Sequence, residues 1–510
     1  MCGIFAVIFK DRTNCNIDYE ISHQLLSARG PDSKTYEVDS QRILGFTRLS
    51  INDTSEDGNQ PMKTSYINLM CNGEIFNYKQ LMEKYSIVCK SKSDCEVLLH
   101  LYEKDAFFPR EFNGDFAVFI EDMKRNRVVL TRDRVGVRPL FYGFAKNSGD
   151  FVVASEMKCL SMCENIQHVL PGSIVYFDKT TRQITIEKYY EVTSILTVSK
   201  PVHFLKDILI ESTKRRLLSD RPIGCLLSGG LDSSVITSIL CKLLGPKNVR
   251  TYSIGMEGSL DLSYARKVAN FLGTNHTEVI FTPEDGLNAI PDVIYALESY
   301  DITTVRASVG MFLLGKYISK HTDDKVIFSG EGSDELLCGY LYFHYAPSGG
   351  EAHKESLRLI SDLYKYDVLR ADRCISSHGL ELRVPFLDKD FLNFCTSLHG
   401  ELKQPREGME KRILRDQFMG ELPDEVLWRR KDGFSDGVSS KTKMWYEYIE
   451  EYVEKQVKEK PSGMTKEAYY YKSIYDKFFP HYPKPIDYYW MPKWINSSNP
   501  SGRTLEVFQS

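Results

Sequence analysis

Hydrophobic and polar residues follow different patterns in different parts of the chain. Over roughly the first 190 residues, short apolar or alternating runs are separated by turns containing Gly, Asn, Asp or Lys-Arg, which predicts packed β-sheets. These runs are GIFAVIF, YINLMCNG, DFAVFIED, RVVLTRD, GDFVVAS and GSIVYFD. One helix is predicted in SDCEVLLHLYEK, with Ser93 as its cap and Val97, Leu98 and Leu101 as an apolar stripe.

The pattern changes near EVTSILTVSKPVHF, and a domain boundary is predicted at about residues 195–205. Beyond it, strands are predicted in IGCLLSG, VRTYSIG, HTEVIFT and DKVIFSG, and helices in DSSVITSILCKLLG, DLSYARKVANFLG and DGLNAIPDVIYALES. Gly245 and Gly273 follow two of these helices, which is typical of helix C-termini. This alternation predicts a doubly wound parallel sheet, in which ligands bind outside the carboxyl ends of the strands.

The last ~130 residues are predicted to be mainly helical. In MWYEYIEEYVEKQV, helical spacing predicts that one face packs in the core. That face consists of Trp445, Tyr448, Ile449, Tyr452 and Val453. The tail FFPHYPKPIDYYWMPKWINSSNPSGR is rich in proline and aromatic residues, and we expect it to be irregular and docked on the body, with frayed final residues.

Composition narrows the class of protein. A chain of 510 residues is long enough for two or three domains. The net charge of −4 argues against a nucleic acid or a membrane surface as partner. No stretch approaches the roughly 18 apolar residues of a membrane span. Twelve cysteines in so long a chain do not indicate a disulfide framework, and Cys159 and Cys163 lack a second pair at zinc spacing. We therefore expect reduced cysteines and a cytoplasmic location.

The opening residues, MCGIFAVIFK, allow three interpretations of Cys2. A secretory segment is disfavoured, because no positive charge precedes the apolar run and Lys10, Asp11 and Arg12 follow it. A second interpretation is a small hydrophobic residue in a buried strand. The third is a nucleophile that becomes N-terminal after Met1 is removed.

The turn LLSGGLDSS, residues 226–234, joins a predicted strand to a predicted helix. Its glycines allow close approach of backbone N–H groups to an anion, and its hydroxyls and the helix N-terminus add donors, which indicates phosphate binding. It is not a Walker A loop, because Gly230-Leu231 stands where that motif requires Gly-Lys. The alternative is a glycine-rich turn that only caps a helix.

A second turn, FSGEGSDE at residues 328–335, also follows a predicted strand. It places Glu331, Asp334 and Glu335 close together, and such clustering is costly unless a cation or substrate group offsets the repulsion. Mg²⁺ beside nucleotide phosphates would use these carboxylates. The alternative is a solvated acidic turn.

Several motifs together resemble a known family. SGGLDS resembles the loop of ATP pyrophosphatases, and SGEGSDE, YDITTVRAS, ELRVPFLD, MEKRILR and WRRKDGFSDGV, in that order, resemble glutamine-hydrolysing asparagine synthetases. MCGI, RGPD, RLSI, CNGEIFNY, SDCEVLLHLY, NGDFAVFI and RDRVGVRPLFY resemble a class II glutamine amidotransferase domain. The resemblance covers nearly the whole chain. It implies a glutaminase domain at 1–195, built as an α/β/β/α sandwich of antiparallel sheets (Ntn-hydrolase type), and a synthetase domain at 205–510.

The resemblance implies roles in glutamine hydrolysis. Cys2 would attack the carboxamide once Met1 is removed, and its own α-amino group, with a pKa near ~7.7–8.0, is suited to act as the base. Asn72 and the Gly73 N–H would form the oxyanion hole. The expected glutamine-binding residues are Arg48 (for the α-carboxylate), Leu49, Ser50, Ile51, Asn52, Asn72, Gly73, and Glu74 and Asp94 (for the α-amino group). For Asp94, the alternative is a helix start that favours the dipole.

The resemblance also implies roles in ATP-dependent synthesis, with ATP and Mg²⁺ required. The expected ATP-binding residues are Leu227, Ser228, Gly229, Gly230, Asp232, Ser233, Ile254, Ser329, Gly330 and Lys431, and Asp232 and Asp334 are the expected Mg²⁺ ligands. Glu331 would take the proton from attacking ammonia. For Lys431, the alternative is a surface ion pair. Thr303, Thr304 and Arg306 match a family segment near the acceptor site.

The implied function is synthesis of asparagine from aspartate, ATP and glutamine, through β-aspartyl-AMP and with an internal passage for ammonia. A homodimer is the expected assembly. Two other functions stay open at this point. The same domains could amidate a different carboxylate or close a β-lactam ring, or the chain could be an inactive scaffold or nutrient-sensing module. Lactam-forming relatives lack the N-terminal nucleophile, so Cys2 with Arg48, Asn72 and Asp94 argues against them, and the match around Thr303–Arg306 and Lys431 favours aspartate as the acceptor. An inactive chain would have lost charged site residues, and none is missing here.

Overall fold

The computed structural model describes residues 1–11, 18–105, 107–193, 202–440, 442–495 and 499–505. Its first part contains two six-stranded antiparallel sheets, with strand orders β10-β8-β9-β1-β3-β2 (sheet A) and β12-β11-β7-β6-β5-β4 (sheet B). The strands are β1 (Gly3–Ile8), β2 (Ser33–Val38), β3 (Arg42–Arg48), β4 (Met62–Lys63), β5 (Ile67–Ile75), β6 (Gly114–Asp122), β7 (Arg127–Arg132), β8 (Phe141–Ala145), β9 (Phe151–Ala154), β10 (Cys163–His168), β11 (Ser173–Asp178) and β12 (Ile184–Lys188).

The two sheets stack face to face between helices. The helices of this part are α1 (Tyr19–Gln24), α2 (Tyr78–Tyr85) and α3 (Glu96–Glu103). Side chains alternate along β1, so that Ile4, Ala6 and Ile8 enter the core between the sheets while Phe5 and Val7 face the opposite side. A separate core lies between sheet B and helices α2 and α3. The predicted α/β/β/α sandwich is therefore confirmed.

One local prediction in this part was wrong. Helix α3 begins at Glu96, and Cys95 rather than Ser93 is the N-cap residue. The Ser93 hydroxyl accepts a weak hydrogen bond from the Cys95 amide at 3.4 Å. The helix begins after the predicted cap because Asp94, the residue before the N-cap, is directed toward sheet B and accepts a hydrogen bond from the Ile75 amide. The stripe of Val97, Leu98 and Leu101 is buried as predicted.

The second part contains a five-stranded parallel sheet in the order β15-β14-β13-β16-β17. Its strands are β13 (Ile223–Leu226), β14 (Arg250–Gly255), β15 (Asn275–Ile280), β16 (Val326–Phe328) and β17 (Glu381–Arg383). The connecting helices are α4 (Phe204–Arg215), α5 (Leu231–Leu244), α6 (Leu260–Leu272), α7 (Pro283–Leu297) and α8 (Ile302–His321). The predicted doubly wound sheet is confirmed, and its order reverses between β13 and β16, where such folds bind ligands.

The remaining helices are α9 (Ser333–Leu336), α10 (Gly349–Asp362), α11 (Asp367–Ser376), α12 (Lys389–Thr396), α13 (Gly400–Lys403), α14 (Arg412–Arg415), α15 (Asp424–Leu427), α16 (Phe434–Gly437), α17 (Trp445–Gln456) and α18 (Lys466–Phe478). Several after β17 are single turns, so the C-terminal part is less helical than predicted. Of the predicted core face of α17, Trp445, Ile449 and Val453 are buried, and Tyr448 and Tyr452 are partly buried and packed against the core.

The C-terminal tail is irregular and docked, as predicted. Trp490 is buried, and its amide donates a hydrogen bond to the Asp301 carboxylate at 2.8 Å. The predicted fraying of the final residues falls on 506–510, outside the described residues. Most of the predicted domain boundary, at 194–201, also lies outside them.

Two expectations from composition, on membrane spans and on cysteines, can be compared with the structure. In the described segments, no helix combines the length and apolarity that crossing a bilayer requires. The eleven cysteines that the structure describes are all free thiols.

Candidate active sites

The first site surrounds Cys2, immediately before β1. The Cys2 amide donates to Asn72 Oδ1 at 3.0 Å, and Cys2 Sγ lies 3.7 Å from the Leu49 carbonyl oxygen. Arg29 Nε donates to the Cys2 carbonyl at 2.9 Å. Burial raises the pKa of the Cys2 thiol. The structure thus brings the predicted nucleophile and Asn72 together, although they belong to segments of different sheets.

Asn72 and Gly73 have features that suit an oxyanion site. Asn72 Nδ2 is buried and has no hydrogen-bond partner among the described residues. Its Oδ1 is already bonded to the Cys2 amide, so the amide group is oriented with its donor available. Gly73 has φ of 142°, and a Cβ there would lie 2.0 Å from the Asp115 carbonyl oxygen. Only glycine therefore fits at this position of β5.

Glu74 and Asp94 form a buried pair of carboxylates beside the nucleophile. Asn52 Nδ2 donates to both, at 3.2 Å to Asp94 and more closely to Glu74. Burial raises the pKa of both carboxyls, and the charge of Asp94 adds to the effect at Glu74. A substrate ammonium group would relieve this cost. The Asp94 carboxylate faces β5, because it accepts from the Ile75 amide at 2.6 Å.

Arg48 is buried, and its guanidinium is bonded within the loop that follows β3. Its Nη1 donates to the Ser55 carbonyl at 2.6 Å and to Asn59 Oδ1 at 3.0 Å, and its Nη2 donates to the Asp53 carbonyl. Arg48 therefore shapes the loop that contains the predicted residues Leu49, Ser50, Ile51 and Asn52. To bind a substrate carboxylate, the Arg48 guanidinium would have to give up some of these hydrogen bonds.

Residues of the second part also reach the first site, which the sequence did not indicate. The Met1 ammonium group is buried and lies 3.4 Å from the Leu380 carbonyl oxygen, and burial lowers the pKa of that group to about 6. Arg383 Nη2 lies 3.8 Å from Glu74 Oε1 and pairs with Glu381 at 2.7 Å. The motif ELRVPFLD was noted as a resemblance, but its position beside Glu74 depends on how the two parts pack.

The second site is a cleft at the reversal point of the parallel sheet. Its lining includes Leu227, Ser228, Gly230, Asp232, Ser233, Ile254, Thr303, Ser329, Gly330, Glu331, Asp334 and Lys431, which were predicted from the sequence. The N-cap of α5 is Gly230, which makes no side-chain cap bond, so the first N–H groups of that helix are available to an anion. Gly229, also predicted, is not among the residues that line the cleft; it has φ of 72°, and a Cβ there would lie 2.4 Å from the Ala265 amide nitrogen.

Two lysines and two aspartates meet at the floor of this cleft. Lys411 Nζ lies 2.7 Å from both carboxylate oxygens of Asp232 and 2.7 Å from Asp334 Oδ1. Lys431 Nζ lies 2.7 Å from Asp334 Oδ2 and 3.9 Å from Asp232 Oδ2. Lys431 is therefore part of the cleft and not a surface ion pair. Lys411 was not assigned a role from the sequence, and only its position within MEKRILR could have drawn attention to it.

Glu331 is held by an arginine that sequence reasoning also missed. Arg370 Nη2 donates to Glu331 Oε2 at 2.8 Å and to Asp367 Oδ1 at 3.0 Å. Burial raises the pKa of the Glu331 carboxyl. Arg370 lies on α11, and nothing in its sequence spacing relates it to residue 331.

The three predicted acceptor residues separate in the structure. Thr303 lines both the cleft and a smaller adjoining cavity. Arg306 lines only the smaller cavity and makes a bidentate ion pair with Glu467 at 2.7 and 2.5 Å. The Thr304 hydroxyl donates to Asp301 at 2.7 Å at the start of α8, and Thr304 lines neither cavity.

Comparisons with known proteins match both parts of the chain. The family model described as Asparagine synthase matches residues 205–358 and 346–495, and the Glutamine amidotransferase domain matches 1–200. The asparagine synthetase [glutamine-hydrolyzing] of Cricetulus griseus is 41% identical over 564 residues, covering 100% of this chain and 99% of the relative. That of Homo sapiens is 40% identical over 566 residues, with the same coverage.

Solved structures show only weak overall similarity. The glutamine phosphoribosylpyrophosphate amidotransferase from B. subtilis is 18% identical, with a TM-score of 0.31, and the match covers 48% of this chain and 64% of that one. The NMN synthetase from Francisella tularensis is 11% identical, with a TM-score of 0.27, and the match covers 57% of this chain and 97% of that one.

Proposed function

The chain belongs to the family of glutamine-hydrolysing asparagine synthetases, and from this premise we propose how its two sites share the reaction. The enzyme is a ligase that makes asparagine from aspartate, ATP and glutamine. One observation supports two separate sites. Cys2 and Asn72 are in contact at the first site. The second site, where the strand order of the parallel sheet reverses, is lined by Asp232, Glu331 and Asp334.

We propose that residues 1–195 form the glutaminase domain and residues 205–510 the synthetase domain. The family matches at 1–200 and at 205–358 and 346–495 support this division. The sandwich and the parallel sheet have separate strand sets, which also supports it.

In the first site, Met1 is removed and the freed α-amino group of Cys2 accepts the thiol proton. The thiolate attacks the glutamine carboxamide carbon, the α-ammonium group returns the proton to the amide nitrogen, and ammonia leaves as a thioester forms. Asn72 Nδ2 and the Gly73 N–H stabilise the oxyanion, which the free donor of Asn72 supports. Water then hydrolyses the thioester to glutamate. Glu74 and Asp94 receive the substrate ammonium group.

In the second site, an oxygen of the aspartate side-chain carboxylate attacks the α-phosphorus of ATP, and pyrophosphate leaves. Ammonia attacks the acyl carbon of β-aspartyl-AMP, Glu331 takes a proton from the resulting ammonium, and AMP leaves. The turn from Ser228 to Ser233 and Lys431 bind the pyrophosphate charge. The residues proposed to line the adenosine are Leu227, Ile254, Ser329 and Gly330.

Asp232 and Asp334 fit a divalent cation, because oxygens of both carboxylates converge on one point, where Lys411 Nζ lies. We propose that they hold Mg²⁺, which when bound neutralises charge on the phosphates. The smaller cavity beside Thr303 and Arg306 is the proposed place of the aspartate substrate, since it adjoins the cleft and contains a guanidinium.

Ammonia must pass between sites in different domains, because ammonium formed in solvent is not a nucleophile. We propose an internal passage near the buried contact between the domains. This contact is rich in ion pairs, such as those of Arg29 and Arg138 with Asp372 at 3.1 and 3.3 Å. A cytoplasmic location and a homodimer are also proposed. The mass of the protein in solution, measured by light scattering, tests the dimer.

One assay distinguishes this function from the alternatives. The protein is incubated with aspartate, ATP and Mg²⁺, with glutamine or ammonium as the nitrogen donor, and the amide formed is identified by mass spectrometry. Asparagine from both donors, with AMP and pyrophosphate, is the expected result. Amidation of a different acid would indicate another acceptor, and binding of the substrates without turnover would indicate a sensing module.

Replacing Asn72 with alanine should weaken glutaminase activity selectively. Loss of one oxyanion donor typically costs about 10²–10³ in rate, so glutamate formation should fall by that order. Ammonia-dependent asparagine formation should change little, because it takes place in the other domain. Steady-state assays with each donor provide the measurement. A mutant that hydrolyses glutamine at the parent rate would show that Asn72 serves only to position the Cys2 nitrogen.

A further inference from the structure

Lys411 is an unusual neighbour for two proposed metal ligands. Its side chain is 1% exposed, and its Nζ lies 2.7 Å from Asp232 Oδ2 and 2.7 Å from Asp334 Oδ1. A buried ammonium therefore occupies the point toward which both carboxylates are directed. A cation of the chain itself stands where the mechanism above places a divalent ion.

The fold holds Lys411 there by more than its ion pairs. Its backbone is left-handed, with φ of 52° and ψ of 33°, at the residue before α14. A non-glycine residue in this region carries a conformational cost that the surrounding structure must offset. At Gly339, a Cβ would lie 2.6 Å from Lys411 Cε and 2.9 Å from its Nζ, so the chain has no side chain where the lysine passes.

The charges of the two aspartates and two lysines at the floor of the cleft balance one another. Asp232 and Asp334 supply two negative charges, and Lys411 and Lys431 supply two positive ones. A free divalent cation approaching these carboxylates would meet two ammonium groups at close range, in a site where burial reduces screening. A bound nucleotide supplies negatively charged phosphates with which both ammonium groups can pair. The carboxylates of Asp232 and Asp334 are then free to bind a metal ion.

We propose that Lys411 is a built-in counter-cation that prevents the Asp232–Asp334 pair from binding free divalent metal, so that the metal enters only together with ATP. This inference rests on the proposed role of the two aspartates as metal ligands. Lys411 thereby makes metal binding conditional on nucleotide, and it acts as a positioning residue for both carboxylates.

Binding of Mn²⁺ to the full chain, followed by its electron paramagnetic resonance signal, tests the proposal without any turnover. Without nucleotide, the parent should bind Mn²⁺ weakly, and Lys411→Met should gain one site that is at least about 10-fold tighter, which corresponds to about 1.4 kcal/mol. Lys411→Arg keeps the positive charge and should not gain the site. If Lys411→Met fails to fold, Lys411→Gln removes the charge with a polar side chain.

Lys403→Met is the matched control. Lys403 is also a buried lysine, but its Nζ bonds to the Ser356 hydroxyl at 3.2 Å and it does not line the cleft. Its replacement should leave Mn²⁺ binding unchanged. In the Lys411→Met background, a further Asp334→Asn change should abolish the gained site.

Two results would overturn the inference and leave the metal ligands in place. One is tight Mn²⁺ binding by the parent without nucleotide that Asp334→Asn removes. The other is a folded Lys411→Met protein that binds Mn²⁺ no better than the parent, while ATP-dependent Mn²⁺ binding still needs Asp334. If ATP-dependent Mn²⁺ binding instead persists unchanged in both Asp232→Asn and Asp334→Asn, the proposed metal ligands themselves are wrong, and the inference falls with them.

Discussion

Replacement of Cys2 with alanine is expected to abolish glutamine-dependent asparagine formation while the ammonia-dependent reaction continues. The thiol is the only part of the first site that forms a covalent bond with glutamine in the proposed mechanism. The synthetase cleft has its own lining, and ammonia is the only reactant that it takes from the first site. Parallel assays with glutamine and with ammonium chloride measure the two activities. Loss of both would mean that the change disturbs the contact between the domains.

The same prediction can separate an N-terminal nucleophile from an internal cysteine. Extra residues before Cys2 should reproduce the loss even though the thiol remains, because a peptide nitrogen cannot accept a proton as an amine does. Cys89→Ala, which changes another half-buried cysteine, is the matched control and should keep full activity. Mass spectrometry of the intact chain should show a mature protein that begins at Cys2. Full glutaminase activity with Met1 retained would contradict the mechanism.

Replacement of Asp232 with asparagine is expected to abolish ATP cleavage with either nitrogen donor. The change removes a negative charge that pairs with Lys411 and Lys431 and that would bind the proposed metal ion. Losing several kcal/mol of charge stabilisation predicts that the rate of ATP cleavage falls by at least about 10³-fold. Glutamine hydrolysis should continue, because its residues lie in the other domain. Pyrophosphate release and glutamate formation are the two readouts.

Asp323→Asn is a suitable control for this change. Asp323 is an exposed aspartate just before β16, at the opposite end of the sheet from the cleft, and it pairs with Arg250 at 2.7 Å. Its replacement should leave pyrophosphate release close to the parent rate. Normal pyrophosphate release by Asp232→Asn would remove Asp232 from the nucleotide site.

The two sites are joined by one helix. Within α11, Arg370 contacts Glu331 of the second site at 2.8 Å. Asp372 and Ser376 of the same helix accept bonds from Arg29, whose Nε donates to the Cys2 carbonyl. Buried ion pairs of this kind are costly to separate, because removing one partner leaves an uncompensated buried charge. The contacts of α11 therefore link the surroundings of the two candidate sites.

The sequence by itself determined the two architectures and most of the candidate residues. Apolar runs such as GIFAVIF predicted packed sheets, and the strand formed by this run is buried on both faces, with Ile4 and Phe5 in different cores. The turns at 226–234 and 328–335 each follow a predicted strand of a parallel sheet, in which ligands bind at the carboxyl ends, and residues of both turns line one cleft. These predictions succeed because they depend on local periodicity and on short turns.

Only the tertiary structure decided which charges meet. Lys411 and Asp232 are 179 positions apart, and Arg370 and Glu331 are 39 apart on different elements, yet each pair is in contact. The start of α3 also moved from Ser93, because Asp94 is drawn to Ile75 of another element. Ion pairs and buried hydrogen bonds depend on how distant segments approach, and no period or spacing along the chain encodes that approach.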